Sequence, residues 1–201
     1  ITAKALTVSG LTAADKVYDQ NNTATTDVTG QILTGLIDGD TVVVAATGTF
    51  TDKNVGDNKT VTLVSTNTGT DVGNYSITNQ ANYSLADITA KALTVSGLTA
   101  ADKVYNADTE AELTGTASVS ANVFSGDLVG VAGTATGTFT DKNVANNIGV
   151  TVTGNTLTGA QAGNYSITQQ AGLAADITPF ALTVSGLTAA DKVYDQNNTA
   201  T

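Results

Sequence analysis

Short runs in which apolar and polar residues alternate fill most of the chain. In Lys4-Ala-Leu-Thr-Val-Ser9, Leu6 and Val8 fall on one face of an extended segment and Thr7 and Ser9 on the other. This is the period-two pattern of a strand with one buried face. Thr60–Thr66 repeats the pattern with Val61 and Leu63 facing inward, and Thr41–Phe50, Asn74–Thr78 and Tyr83–Leu85 read as further strands. Val28–Thr34 is a candidate strand, and Lys16-Val-Tyr18 a short extended piece. Between them lie Gly10, the polar turn Asp19-Gln-Asn-Asn22, the tight turn Leu36-Ile-Asp-Gly-Asp40 and the polar loop Thr51–Asn58. No segment of ten or more residues carries a 3.6-residue period. Six or so short strands separated by turns predict an all-β domain, a β-sandwich or a related barrel.

The pattern recurs. Ile1–Tyr18 returns letter for letter at Ile88–Tyr105, and again at Ile177–Tyr194 with only Ala3-Lys4 replaced by Pro179-Phe180. Repetition at a near-constant period marks a repeat protein. It divides the chain into repeat one (Ile1–Asp87), repeat two (Ile88–Asp176) and the start of a third, incomplete repeat (Ile177–Thr201). Two fewer residues separate Asp40 from Phe50 than Asp127 from Phe139. A change of two keeps every later side chain on its face of a strand, so Thr41–Phe50 and Leu128–Phe139 are both expected to be strand material. Asp87 runs straight into Ile88, so the closing strand of one repeat is expected to continue into the opening strand of the next. The expected core is Leu6, Val8, Tyr18, Phe50, Val61, Leu63, Tyr75 and Ile77 with their equivalents, among them Tyr105 and Phe139.

Composition narrows the partners. Eighteen acids against eight cations, all of them Lys, give a net charge of −10, and there is no Cys, His, Met or Trp. Phosphate binding needs a basic face, so nucleic acid is excluded as an expected partner. Without Cys there is neither a disulfide framework nor a thiolate metal site. No apolar run approaches the ~18 residues that span a bilayer as a helix, and membrane insertion is not expected.

The ordered landmarks Ala5-Leu-Thr-Val-Ser-Gly-Leu-Thr-Ala-Ala-Asp-Lys-Val-Tyr-Asp19, Gly39-Asp40, Gly48-Thr-Phe-Thr-Asp-Lys-Asn-Val-Gly56 and Gly73-Asn-Tyr75 have counterparts at Ala92–Asn106, Gly126-Asp127, Gly137–Val144 and Gly163-Asn-Tyr165. Together they resemble the YDG-type repeat domain of large bacterial surface proteins, including filamentous-haemagglutinin-like adhesins. The Tyr-Asp-Gly triplet itself is altered, to Tyr18-Asp19-Gln20, Tyr105-Asn106-Ala107 and Tyr194-Asp195-Gln196. The resemblance implies tandem β-sandwiches, immunoglobulin-like or β-grasp-related, in an elongated array. It also implies an extracellular location at the bacterial cell surface, a stalk role and no active site.

Candidate chemistry is sparse. Asp38 and Asp40 could pair as acid and base, but repeat two carries Ser125 and Asp127 there. Asp38-Gly-Asp40 and Asp52-Lys-Asn-Val-Gly-Asp57 offer the hard oxygens that Ca²⁺ takes, yet Lys53 sits inside the second cluster and turn capping explains both. Lys16, Lys103 and Lys192, each following an Asp, could form isopeptide crosslinks or ordinary surface pairs. Lys4 becomes Phe180 in the third copy and is not a required partner. Thr-rich strand faces could meet glycan or ice.

The expectation is therefore a non-enzymatic stalk or fibre module, with no catalytic, cofactor-binding or metal-binding residues and no cofactor. Its partners are neighbouring repeats of the same array, with identical chains in a fibre and a surface glycan as further candidates. The alternatives are a self-assembling filament subunit built by strand addition and a module binding glycan, calcium or ice. A folded-state ligand at 100 times its dissociation constant adds ~2.7 kcal/mol. EDTA should accordingly leave the melting temperature unchanged in a thermal scan; a drop restored by Ca²⁺ would put calcium first.

Overall fold

The computed structural model describes residues 1–199; Ala200 and Thr201, the last of the third-repeat segment, lie outside the described residues. Repeat one contains β1 (Lys4–Ser9), β2 (Thr12–Ala13), β3 (Lys16–Val17), β4 (Thr23–Ala24), β5 (Thr26–Asp27), β6 (Ile32–Thr34), β7 (Val43–Phe50), β8 (Gly56–Thr68), β9 (Tyr75–Thr78) and β10 (Asn82–Thr89). Repeat two contains β11 (Lys91–Thr94), β12 (Ser96–Ala100), β13 (Lys103–Val104), β14 (Glu110–Ala111), β15 (Leu113–Ser118), β16 (Gly130–Ala132), β17 (Thr136–Phe139), β18 (Ala145–Thr153), β19 (Thr156–Thr158), β20 (Tyr165–Thr168) and β21 (Leu173–Thr178). Three single-turn 3₁₀ helices are the helical elements among the described residues. The protein is essentially all-β, with sheets curled towards barrels.

The chain forms two compact units, residues 1–98, 115–135 and 152–170 in the first and residues 99–114, 136–151 and 171–201 in the second. The first holds the five-stranded sheet β3-β10-β8-β7-β4 and the three-stranded sheet β6-β1-β9. In the latter, β1 runs parallel to β9, Lys4 opposite Tyr75 through Thr7 opposite Thr78, and antiparallel to β6. Leu6 and Val8 point inward as their spacing predicts; Leu6 packs with Val42 and Tyr75. Tyr18, Phe50, Val61 and Leu63 are buried and Ile77 is half-buried. The first unit also holds the parallel pair β11-β20, which repeats the β1-β9 register from Lys91 opposite Tyr165 to Thr94 opposite Thr168. The second unit is built on the sheet β13-β21-β18-β17-β14, the same strand order as in repeat one. Its core is Ala111, Phe139, Ile148, Val150, Ala175 and Ile177.

Several expected elements differ. Val28–Thr34 is a strand only from Ile32, because the Gln31 N–H turns back to the Val28 carbonyl at 3.1 Å. The loop after Phe50 is shorter than expected: strand pairing resumes at Gly56, and Asn58, at φ 49, bulges so that its N–H reaches Asp87 Oδ1 at 2.7 Å. Leu128–Phe139 is not one strand. Its two extra residues open a gap between β16 and β17, where Gly133 and Gly154 both take positive φ. A Cβ on Gly133 would lie 2.3 Å from the Gly154 carbonyl oxygen, so only glycine lets the backbones approach there. The closing strand of repeat one stops at Thr89, and one residue, Ala90, intervenes before β11. Tyr105, expected in the core, is half-buried. Residues 179–199 form no strand and are exposed.

Phe50 and Phe139 are each 1 % exposed. Phe50→Ala and Phe139→Ala should each cost ~3–5 kcal/mol in urea denaturation, as large-to-small core changes do; a loss below about 1 kcal/mol would contradict the packing.

Candidate functional site: the tyrosine–aspartate joint between repeats

The turn after β3 carries Tyr18 away from its own sheet. Its N–H is held by the Thr89 carbonyl at 2.9 Å, the first residue beyond the β3-β10 pairing. The neighbouring side chains clamp the turn: Lys16 Nζ donates to the Asn21 carbonyl (3.0 Å), Asn21 Oδ1 (2.9 Å) and the Thr23 carbonyl (3.1 Å), and it pairs with Asp19 at 2.6 Å. Gln20 sits at φ 68, where the Tyr-Asp-Gly pattern has glycine. A left-handed conformation costs an L-residue about 1–2 kcal/mol.

Gln20 offsets that cost within the joint. Its Nε2 donates to Asp127 Oδ1 (2.9 Å) and to the Ser125 carbonyl (3.0 Å) in the Ser-Gly-Asp turn of repeat two. Tyr18 Oη donates to Asp127 Oδ2 at 2.9 Å, and Tyr165 Oη donates to the same oxygen at 2.7 Å. Tyr165 Oη in turn accepts the Phe124 N–H at 3.2 Å. The Tyr18 ring packs edge-on against Tyr165 (centroids 5.5 Å) and Phe124 (6.1 Å), and Lys91 Nζ lies 4.8 Å from the Phe124 centroid, a cation–π arrangement. Beside this cluster Asn164, buried although polar, accepts the Val55 N–H (3.0 Å) and donates to Asn54 Oδ1 (3.1 Å). All of these residues belong to the first unit.

Hydrogen bonds to a charged group are the strong ones, and the titration of the cluster shows it. Burial would raise the Asp127 carboxyl, but the hydrogen bonds from Tyr165, Gln20 and Tyr18 and the charge of Lys53 outweigh it and hold the group below the ordinary 3.8. Burial, then the bond to Asp127 and its charge, push Tyr18 from 10.0 up to about 12. Tyr165 is raised by the same causes in the same order.

Repeat one builds the same cluster without an incoming tyrosine. Tyr75 Oη donates to Asp40 Oδ2 at 2.5 Å and accepts the Ile37 N–H at 3.0 Å. Asp40, expected as half of an acid–base or calcium pair, is thus a phenol acceptor, and Asp38 beside it is exposed. Asp52 caps the Asn54 N–H at 2.8 Å and pairs with Lys59 at 2.9 Å, while Asp57 is exposed. Lys103 and Lys192 clamp their turns as Lys16 does, through Asp108 and Asp195. The Asp preceding Lys16 and the one preceding Lys103 turn elsewhere: Asp15 accepts the Asp87 N–H and Asp102 the Asp176 N–H, both at 2.7 Å. Among the described residues, no group of three or more His, Cys, Asp or Glu is placed to hold a metal ion, and no helix is long and apolar enough to cross a membrane. Gln20, Phe124 and Asn164 carry the joint and were not singled out from the sequence. The only signal was Gln20 standing where the triplet has glycine.

Asp127→Ala strands three donors, two of them phenols, and should cost roughly 2–3 kcal/mol. Asp40→Ala, which strands one, should cost less; both are read by urea denaturation of the full chain. The pH profile should fall on two sides. Asp127 has a lowered folded pKa, so its contribution is present above 3.8 and is lost as pH falls through the folded value. Tyr18 has a raised one, so its contribution is complete below pH 10.0 and is lost as pH rises through about 12. Denaturation at stepped pH should show both limbs, with the alkaline limb shallower in Tyr18→Phe.

The profile of the YDG domain matches the chain twice, over residues 2–90 and 89–172. No curated protein and no solved structure matches it. Two copies side by side account for most of the sequence, and the Tyr18–Asp127 joint falls between them: the chain belongs to the YDG-domain family.

Proposed function

We propose that the chain is a structural spacer, a run of YDG repeats in the stalk of a bacterial extracellular surface protein of the filamentous-haemagglutinin-like adhesin type. In the finer reading, the repeats are tandem sandwiches, immunoglobulin-like or β-grasp-related, in an elongated array. The observation that carries the proposal is the use of the polar side chains at the joint. Asp127, Tyr18, Tyr165, Gln20 and Asn164 spend their hydrogen bonds on one another, and so on holding repeat two to repeat one. A ligand-binding or catalytic cluster would present such groups to an incoming molecule. A spacer instead needs adjacent modules fixed in one geometry, which a half-buried carboxylate with three donors supplies. A net charge of −10 repels neighbouring copies and keeps such stalks apart. The Thr-rich strand faces are then solvated surface rather than a glycan or ice site.

The test exploits the absence of cysteine. Spin labels on Thr62→Cys and Thr158→Cys, both exposed positions of the first unit, should give a narrow distance distribution in pulsed electron resonance. Adding Asp127→Ala should broaden it. A broad distribution with the joint intact, or saturable binding of a surface glycan, would overturn the spacer reading.

A further inference from the structure

Residues 181–199 are identical to residues 5–23, yet the two segments meet opposite fates. Leu6, Val8, Leu11 and Tyr18 are each 1 % exposed, whereas Leu182, Val184, Leu187 and Tyr194 are 85 %, 80 %, 86 % and 85 % exposed. The second segment has already formed its local turn. Lys192 Nζ donates to Asp195 Oδ1 (2.7 Å), Asn197 Oδ1 (2.7 Å) and the Thr199 carbonyl (3.1 Å), and Gln196 sits at φ 65 where Gln20 sits at φ 68. What residues 181–199 lack is a sheet.

The sheet that fits them is occupied by residues 5–23 of every copy. There the segment pairs in parallel with Tyr75–Thr78 and Ile88–Thr89 and antiparallel with Ile32–Thr34. We propose that residues 181–199 of one copy displace residues 5–23 of a second copy, so that chains join head to tail by strand exchange. Since the two segments are identical, each contact the resident segment gives up is remade by the incoming one, which is why exchange of identical elements is a low-cost route to assembly.

Two features give the exchange a surplus. The first is a new joint. The incoming chain places the Tyr105 end of its repeat two before the Asp40–Tyr75 cluster of the second copy, as Tyr18 stands before Asp127. Both faces are open in the single chain. Asn74 is exposed where Asn164 is buried, and Val144 is exposed where Val55 is half-buried. A pocket of about 420 Å³ lies among Ile1, Lys4, Ile37, Asp40, Gly73 and Asn74, and another of about 460 Å³ lies beside Tyr105 and Val144. The second feature is Phe180, which replaces the lysine of the earlier copies. Lys91 meets the Phe124 ring; the residue at that place in repeat one is Ile37, which has no ring, and an aromatic neighbour suits it better than a cation. The interior contacts of the exchanged copy are otherwise unchanged. The proposal stands independently of the spacer reading, since the labels that test that reading lie within one chain.

Ala5 and Ser76 are paired across β1 and β9, and Ala181 is the counterpart of Ala5. Neighbouring strand positions suit a disulfide, and the chain has no other thiol. The full chain carrying Ala181→Cys and Ser76→Cys is concentrated, warmed to permit exchange, cooled and oxidised. A ladder of disulfide-linked multimers on a non-reducing gel is the expected result. Monomer alone, with free thiols or with an internal bridge, overturns the proposal. Adding Leu182→Asp and Val184→Asp should abolish the ladder while leaving the melting curve of the monomer unchanged, because both positions are exposed there; a ladder that survives these changes also overturns it.

Discussion

Each repeat is closed by two parallel strand pairs that join its beginning to its end. In repeat one, Lys4–Thr7 lies beside Tyr75–Thr78 and Lys16-Val17 beside Ile88-Thr89; in repeat two, Lys91–Thr94 lies beside Tyr165–Thr168 and Lys103-Val104 beside Ile177-Thr178. Parallel neighbours cannot be joined by a tight turn, so the first strand has no partner until the chain has travelled the length of the repeat and come back. Everything else hangs on that return. The buried side of β1 is covered only because β9 and β6 flank it. The same requirement sets the seam: Ile88, which opens the second copy of the sequence, is fully buried in the sheet of the first, and Ile177 lies in the core of the second. Ile1, with no preceding sheet, is fully exposed.

The seam brings the turn after β3 next to the Ser-Gly-Asp turn of the following repeat. There Asp127 changes character. In a chain of eighteen acids most carboxylates are solvated or cap a turn, but this one collects both phenols and the Gln20 amide. A carboxylate in a half-buried setting needs such donors, because desolvation without them would neutralise it. The interaction also explains how Gln20 can occupy a left-handed turn position. Its strain is local, whereas the compensating bonds reach across to another repeat. Ala107, at φ 72 with no such side chain, carries the same strain without that return.

The two repeats differ where length differs. Repeat one runs β7 and β8 as one uninterrupted antiparallel pair from Val43 opposite Thr68 to Phe50 opposite Val61. Repeat two breaks both strands. The two additional residues do keep Phe139 facing inward, as period two requires, but they are absorbed by close backbone approach at Gly133 and Gly154 rather than by a longer hairpin. Parity protects the core face and says nothing about continuity of the ladder.

The sequence alone determined the all-β class, the repeat, the family, and which face of β1, β7 and β8 turns inward, because side-chain alternation and turn chemistry are local properties. It also placed Tyr18 and Phe50 in the core. It did not determine the length of β8, the break after Ala132 or the half-exposure of Tyr105, since each depends on what a distant segment does. The joint was hidden for the same reason: Tyr18 and Asp127 stand 109 positions apart, and nothing in either neighbourhood names the other. The plainest case is the segment Ala5–Thr23 and its duplicate Ala181–Thr199. Both form the same Lys–Asp–Asn turn, which nearby residues specify. Only the first is a set of buried strands, because strand pairing and apolar burial need partners that local sequence cannot supply.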